Sequence, residues 1–338
     1  MDKWIRLDAE TACSTETSIY LFGRSVNMLY RLDKKTGVIE ILGSIPQKEK
    51  WSMLLVGKIL YWCDFLILLP LKENYIWLFN LETYKWKKIE LMNSQSYSMK
   101  FYQGFIYQNV LHMIGCEYPA IVRINLMTFE IEYDSRIYDV IRKRTPYDIY
   151  FRTEYIQNNN EIIMGCCCTN QICYYNMDDL SFNLLRLGDE GEDYEGIAQI
   201  EGEMQLFGRS ARLLYRCGKA IEKNSSVMIN NCHYIATVRY KGHYVLLSNI
   251  SGESLVQNTF NDYEAFIDTC NFCEKKDEDN YIYLNDKGIL KEVTDGNIKE
   301  YRCAIGKNKF YDFVGEKQTL LHETSSYNLS FLIDDLVD

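Results

Sequence analysis

Residues 21–31 read LFGRSVNMLYR, and residues 206–216 read LFGRSARLLYR. Nearly the same eleven positions recur 185 residues apart in a chain of 338. Such a recurrence points to copies of one structural unit, so internal repeats are sought first. The unit begins inside the first copy. MLYRLDKKTGVIEIL (28–42) is an apolar strand ending in Asp33, then a short polar turn, then a second strand. YIWLFNLETYKWKKIEL (75–91), AIVRINLMTFEIEY (120–133) and QICYYNMDDLSFNLLRL (171–187) repeat it. The pivots Asp33, Asn80, Asn125 and Asn176 are spaced 47, 45 and 51 residues apart. Asp and Asn suit a pivot because their side chains bond the backbone of the following turn and tolerate left-handed geometry.

A further hairpin precedes each pair: SIYLFG (18–23), KILYWCDFLILLPL (58–71), FIYQNVLHMIG (105–115) and DIYFRTEYIQNNNEIIMGCC (148–167). Each repeat thus supplies about four short antiparallel strands in ~45 residues, the period of a propeller blade. Two-residue alternation recurs, whereas stripes of helical spacing are few. The second LFGRS copy belongs to a fifth repeat, 196–223, and the repeats then degrade. HYIATVRYKGHYVLLSN (233–249) reads as a hairpin turning at Lys241-Gly242, residues 263–293 as a seventh unit, and 309–333 as closing strands. The expectation is an all-β chain, 1–338, forming a single β-propeller domain of about seven four-stranded blades, with six or eight as alternatives. The two LFGRS segments would be the same part of blades one and five.

Composition bounds the function. Hydrophobic residues make up 47% and charged residues 25%, which suits a packed globular protein. The net charge of −10 argues against a nucleic-acid binder, since phosphate recognition needs a basic surface. The first residues carry no apolar signal segment, and no apolar run reaches membrane-spanning length, so a cytoplasmic location without membrane association is expected. The twelve cysteines are scattered, several within apolar strands, and are expected to be reduced packing residues.

The segment YIWLFNLETYKW, with Asn80, Thr83 and Trp86 in a Y-x-x-D-x-x-T-x-x-W arrangement, resembles the kelch-type β-propellers. The other repeats keep less of the pattern, and the usual Gly-Gly doublet is absent. The resemblance implies a divergent kelch-like ring whose second-to-third-strand loops share one face with the interblade links, the usual ligand face. On that register GRSVN (23–27) and GRSAR (208–212) are such loops. Arg24, Arg209 and Arg212 would point to one mouth, joined by Arg142 and Arg144 from the link between blades three and four. A guanidinium offers paired donors to a carboxylate or phosphate, so these arginines would grip an acidic peptide, a carboxylated sugar or a phosphate. The plainer reading is a favourable turn whose arginine pairs with a neighbouring blade.

Other candidates carry less. The acidic stretch 188–196 lacks an EF-hand frame and reads as a solvated loop. Cys270 and Cys273 have half the spacing of a zinc ribbon, but no second pair exists, so no metal site and no cofactor are expected. His112, His233, His243 and His322 fall in no catalytic motif. The leading expectation is a module that binds a protein or peptide partner through one face of the ring. The alternative is a carbohydrate-active or other small-molecule enzyme, or a lectin-like sugar binder, using the central depression; nothing singles out catalytic residues. Close paired carboxylates in an open centre would favour the enzyme.

Overall fold

The computed structural model describes residues 4–141, 149–151, 155–167, 169–186, 194–200, 203–208, 212–216, 219–224, 234–248, 254–259, 262–265, 270–277 and 279–314. Among these residues the strands form seven four-stranded antiparallel sheets, each made of four strands consecutive in the chain. We number these blades 1 (11–43), 2 (56–90), 3 (101–134), 4 (155–186), 5 (194–224), 6 (234–265) and 7 (270–302). The first strand of blade 1 touches the first strands of both blade 2 and blade 7. First strands also meet between blades 2 and 3, 4 and 5, 5 and 6, and 6 and 7. The sheets are therefore arranged radially, with first strands at the axis and fourth strands outside. This is a β-propeller.

The strand pattern explains the packing. In FLILLP (Phe65–Pro70) alternate residues face opposite sides of the sheet. Leu66 and Leu68 join Tyr20, Phe22 and Leu29 in the core between blades 1 and 2. Ile67 and Leu69 join Phe101, Leu111 and Met113 between blades 2 and 3. A blade covered on both faces needs such a continuous apolar run. Every pivot is the last residue of a third strand: Asp33, Asn80, Asn125 and Asn176. The Asn80 side-chain oxygen accepts from the Thr83 amide at 2.7 Å and the Thr83 hydroxyl at 2.8 Å. Trp86 then packs on Phe79, ring centroids 4.8 Å apart. That is the physical content of the Asn-x-x-Thr-x-x-Trp spacing.

The seam between blades 7 and 1 is closed by two segments distant in the chain. Trp4–Arg6 pairs antiparallel with Ala304–Gly306 as a separate two-stranded sheet. A short helix, α1 (Arg136–Val140), follows the last strand of blade 3. The segment expected to supply closing strands from residue 309 instead begins as a second helix, α2 (Lys307–Val314). Phe310 and Val314, four apart, share one helix face and enter the core of this seam with Ile5, Ile39 and Leu290. The rest of the expected closing segment, 315–333, lies outside the described residues.

Candidate binding face and the ring centre

Antiparallel connectivity puts the second-to-third-strand loops and the interblade links on one face. The GRSVN loop is tied to the link joining blades 1 and 2. The Leu54 amide donates to the Arg24 carbonyl at 2.8 Å, and the Asn27 amide to the Lys50 carbonyl at 2.7 Å. The buried Asn27 side chain bonds both the amide and the carbonyl of Ile45. Gly23 is required because a Cβ there would lie 2.4 Å from the Val26 carbonyl oxygen. In the first copy this stretch has a structural role: a buried pair, Leu21 and Phe22, then a glycine where the loop folds back. In the second copy Leu206 is likewise fully buried.

Arg24 is paired with Glu10, the residue just before the first strand of blade 1. Its Nε lies 3.5 Å from Glu10 Oε2, with the Arg24 side chain 41% exposed and that of Glu10 16%. The neighbouring Ser25 hydroxyl donates to Asp8 Oδ2 at 2.7 Å. Burial pushes the Asp8 carboxyl above its ordinary range, against the opposing hydrogen bonds from Ser25. Burial raises Glu10 to about 7, with Arg24 opposing and Asp8 adding to the rise. Arg212 opens the third strand of blade 5. Arg209, Arg142 and Arg144 lie outside the described residues, as do 188–193 of the acidic stretch and His233. Of the sequence-derived site residues, the structure thus describes the surroundings of Arg24.

The axis itself holds residues that sequence reading missed. Lys58, from the first strand of blade 2, reaches Glu274 Oε2 of blade 7 at 3.4 Å. Its ammonium also lies 5.7 Å from the Phe105 ring centroid in blade 3 and 5.1 Å from that of Tyr155 in blade 4. A single side chain can touch blades 3, 4 and 7 only from the centre of the ring. Thr11 of blade 1 donates from its hydroxyl to Glu274 Oε1 at 2.7 Å and accepts from the Ile59 amide at 3.1 Å. Tyr155 donates across the axis to the Lys275 carbonyl at 3.3 Å. Burial works against the Lys58 ammonium, yet Glu274 and Tyr155 more than offset it and hold its pKa above the ordinary lysine range. The centre is thus crossed by a brace of Lys58, Glu274, Thr11 and Tyr155, with the Lys275 ammonium 6.0 Å from the Tyr155 ring centroid. The one signal of it in the sequence was a lone lysine within the strand VGKILYW (Val56–Trp62).

Cys270, Cys273 and His112 serve packing. Cys270 and Cys273 both lie in the core between blades 6 and 7, because a bulge between Cys270 and Phe272 shifts the strand's alternation. His112 is buried, with Nδ1 3.0 Å from the Tyr175 hydroxyl, and burial lowers its pKa to about 4. Among the described residues no helix is long and apolar enough to cross a membrane.

Comparison with known proteins agrees on architecture. No protein-family model matches the chain, and no curated protein does. Solved structures match at low identity. The catalytically inactive virginiamycin B lyase from Staphylococcus aureus with quinupristin aligns at 10% identity and a TM-score of 0.60, over 83% of this chain and 92% of that one. YCF48 bound to D1 peptide aligns at 10% identity and a TM-score of 0.58, over 86% and 94%. The extracellular domain of the one component system BT4673 from B. thetaiotaomicron aligns at 10% identity and a TM-score of 0.56. That match covers 87% of this chain but 38% of the other, so the chain spans well under half of that relative. At such identities the likeness shows the β-propeller fold. The finer kelch-type assignment has no matching family behind it.

Proposed function

We propose that this propeller is a binding module for a protein or peptide partner, engaged through the face that carries the GRSVN loop and the interblade links. The observation that carries this reading is the bridge across the centre of the ring. Lys58 and Thr11 both hold Glu274 across the axis, which favours the loop face as the surface offered to a partner. A rigid ring with freely varying loops suits recognition. Arg24, Arg209, Arg212, Arg142 and Arg144 are assigned to an acidic segment of the partner. Arg24 supports this best: it is partly exposed and held by one 3.5 Å contact, so an incoming carboxylate can share it. We also read the chain as a divergent kelch-type propeller working in the cytoplasm, on the Asn80, Thr83 and Trp86 spacing and the reduced-cysteine reading.

The test is a titration of a fluorescein-labelled peptide of alternating glutamate and serine. The wild type is compared with a variant carrying Arg24→Ala, Arg209→Ala, Arg142→Ala and Arg144→Ala. The variant is expected to bind at least about tenfold more weakly, with the difference shrinking at high salt. Equal binding by both proteins would refute the assignment of the arginines.

A further inference from the structure

The turns joining third to fourth strands in blades 1–4 share one geometry. The pivot carbonyl accepts the amide four residues on: Gly37 to Asp33 at 2.8 Å, Tyr84 to Asn80 at 2.9 Å and Phe129 to Asn125 at 2.7 Å. The residue four past the pivot is left-handed in each blade, with φ of 70° at Gly37, 56° at Tyr84, 64° at Phe129 and 59° at Leu180. Glycine is at ease there. A bulky residue is strained there. The contacts of the large side chains account for their presence. Phe129 lies beneath the ammonium of Lys87 from blade 2, 3.3 Å from the ring centroid, and packs on the core between blades 2 and 3. Leu180 packs on the core that holds Ile137 and Tyr138 of α1, and its carbonyl accepts from Arg136 Nη2 at 2.9 Å. Tyr84 stands edge-on to Phe79, within electrostatic reach of Arg31 from blade 1. The turns of blades 3 and 4 lean back on the preceding blade, or on the helix after that blade, and place Phe129 and Leu180 beside a cation, whereas Tyr84 packs on its own blade and stays 48% exposed.

Blade 1 leans in the same way on α2, the helix after blade 7. The Ile39 carbonyl accepts from Lys309 Nζ of α2 at 3.5 Å, as the Leu180 carbonyl does from Arg136 of α1. Here, however, the large side chain is missing. A Cβ on Gly37 would meet nothing within 4 Å. A groove of about 420 Å³ opens at that position, lined by Trp4, Gly37, Val38, Ile305 and Lys309 among others. Trp4 is 47% exposed and Val38 61%. Lys309, an exposed lining residue, supplies positive charge at its wall.

We propose that this groove is a socket for a large apolar side chain, aromatic by preference, presented by an acidic peptide segment of a partner protein. Phe129 and Leu180 in two sister turns set the size and apolar character of the side chain that fills the position, and Lys309 sets the charge beside it. The socket lies at the outer edge of the ring, away from the loop-face arginines, and does not depend on them.

The experiment uses the full chain labelled with 5-fluorotryptophan, with the Trp4 resonance assigned by Trp4→Phe. The probe is a synthetic nonapeptide with one phenylalanine flanked by glutamates. Control peptides replace the phenylalanine by alanine or the glutamates by lysines. Gly37→Phe supplies the missing side chain from within, and Tyr84, Phe129 and Leu180 show that this backbone accommodates one. Lys309→Glu, an exposed change, tests the charge independently of that backbone. The expected result is a saturable Trp4 shift, at least about tenfold weaker with either control peptide or with Lys309→Glu, and abolished by Gly37→Phe. No Trp4 shift up to about 1 mM peptide, equal shifts with all peptides, or a shift that survives Gly37→Phe would overturn the proposal. So would a Trp4 signal that moves with protein concentration alone, which would make a second copy the occupant. A shift seen only after deletion of residues 315–338 would assign the socket to the chain's own end and overturn it equally.

Discussion

Replacing Lys58 by methionine removes the ammonium at the axis and keeps the aliphatic stem. Glu274, whose side chain is 20% exposed, then retains Thr11 as donor but loses its counter-charge. Breaking a buried pair from one side costs about 3–5 kcal/mol, because the remaining charge stays desolvated. Partial exposure of Glu274 puts the expected cost of Lys58→Met near the lower end, about 3 kcal/mol. Glu274→Gln leaves the Lys58 ammonium enclosed, its side chain 9% exposed, and is expected to cost at least as much. The double variant Lys58→Met with Glu274→Gln leaves no charge stranded, and a glutamine oxygen still accepts from Thr11. It is expected to recover to within about 1 kcal/mol of wild type. The assay is urea unfolding of all four proteins at pH 7, read as a double-mutant cycle. These expected costs imply a coupling energy of about 5 kcal/mol. Single variants whose costs simply add would refute the brace.

Other perturbations have separate signatures. Phe22 is fully buried between blades 1 and 2, so Phe22→Ala is expected to lower stability by about 3–5 kcal/mol in denaturant unfolding. Arg24→Ala removes a partly exposed ion pair and is expected to change stability by about half a kcal/mol or less, while raising the Glu10 pKa further. Glu10 is raised from 4.5 to about 7 by burial, a shift corresponding to about 3 kcal/mol. The folded state binds the extra proton, so this group favours folding at low pH, and its contribution falls as pH rises from about 4.5 to 7. Glu10→Gln is therefore expected to stabilise the protein at about pH 8 and to matter little at about pH 4.5; a stability difference independent of pH would contradict this.

Much of the ring was legible because its signals are local. The pivots Asp33, Asn80, Asn125 and Asn176 end strands where the spacing placed them, since an Asx side chain bonding the next turn needs no distant partner. The two-faced apolar run Phe65–Pro70 announced a strand buried on both sides. Helix α2 escaped notice because its eight residues bury only two side chains, Phe310 and Val314, too few to distinguish a helix from a strand. Arg24 was placed on the correct loop, but its partner Glu10 lies in another segment, and no periodicity links them. The brace was less visible still. Thr11, Lys58 and Glu274 belong to three blades and meet only when the ring closes. The left-handed Tyr84, Phe129 and Leu180 could not be foreseen, because sequence alone gives glycine, as at Gly37, the better claim to such a turn.

The most direct measurement of the central claim is hydrogen–deuterium exchange of the full chain with and without the glutamate–serine peptide. Binding at the loop face is expected to slow exchange in peptides covering residues 23–28 and 44–55, with the first strands that carry Thr11, Lys58 and Glu274 unchanged. Protection confined to those axial strands, with none on the loops, would contradict the account and put the ligand in the centre of the ring.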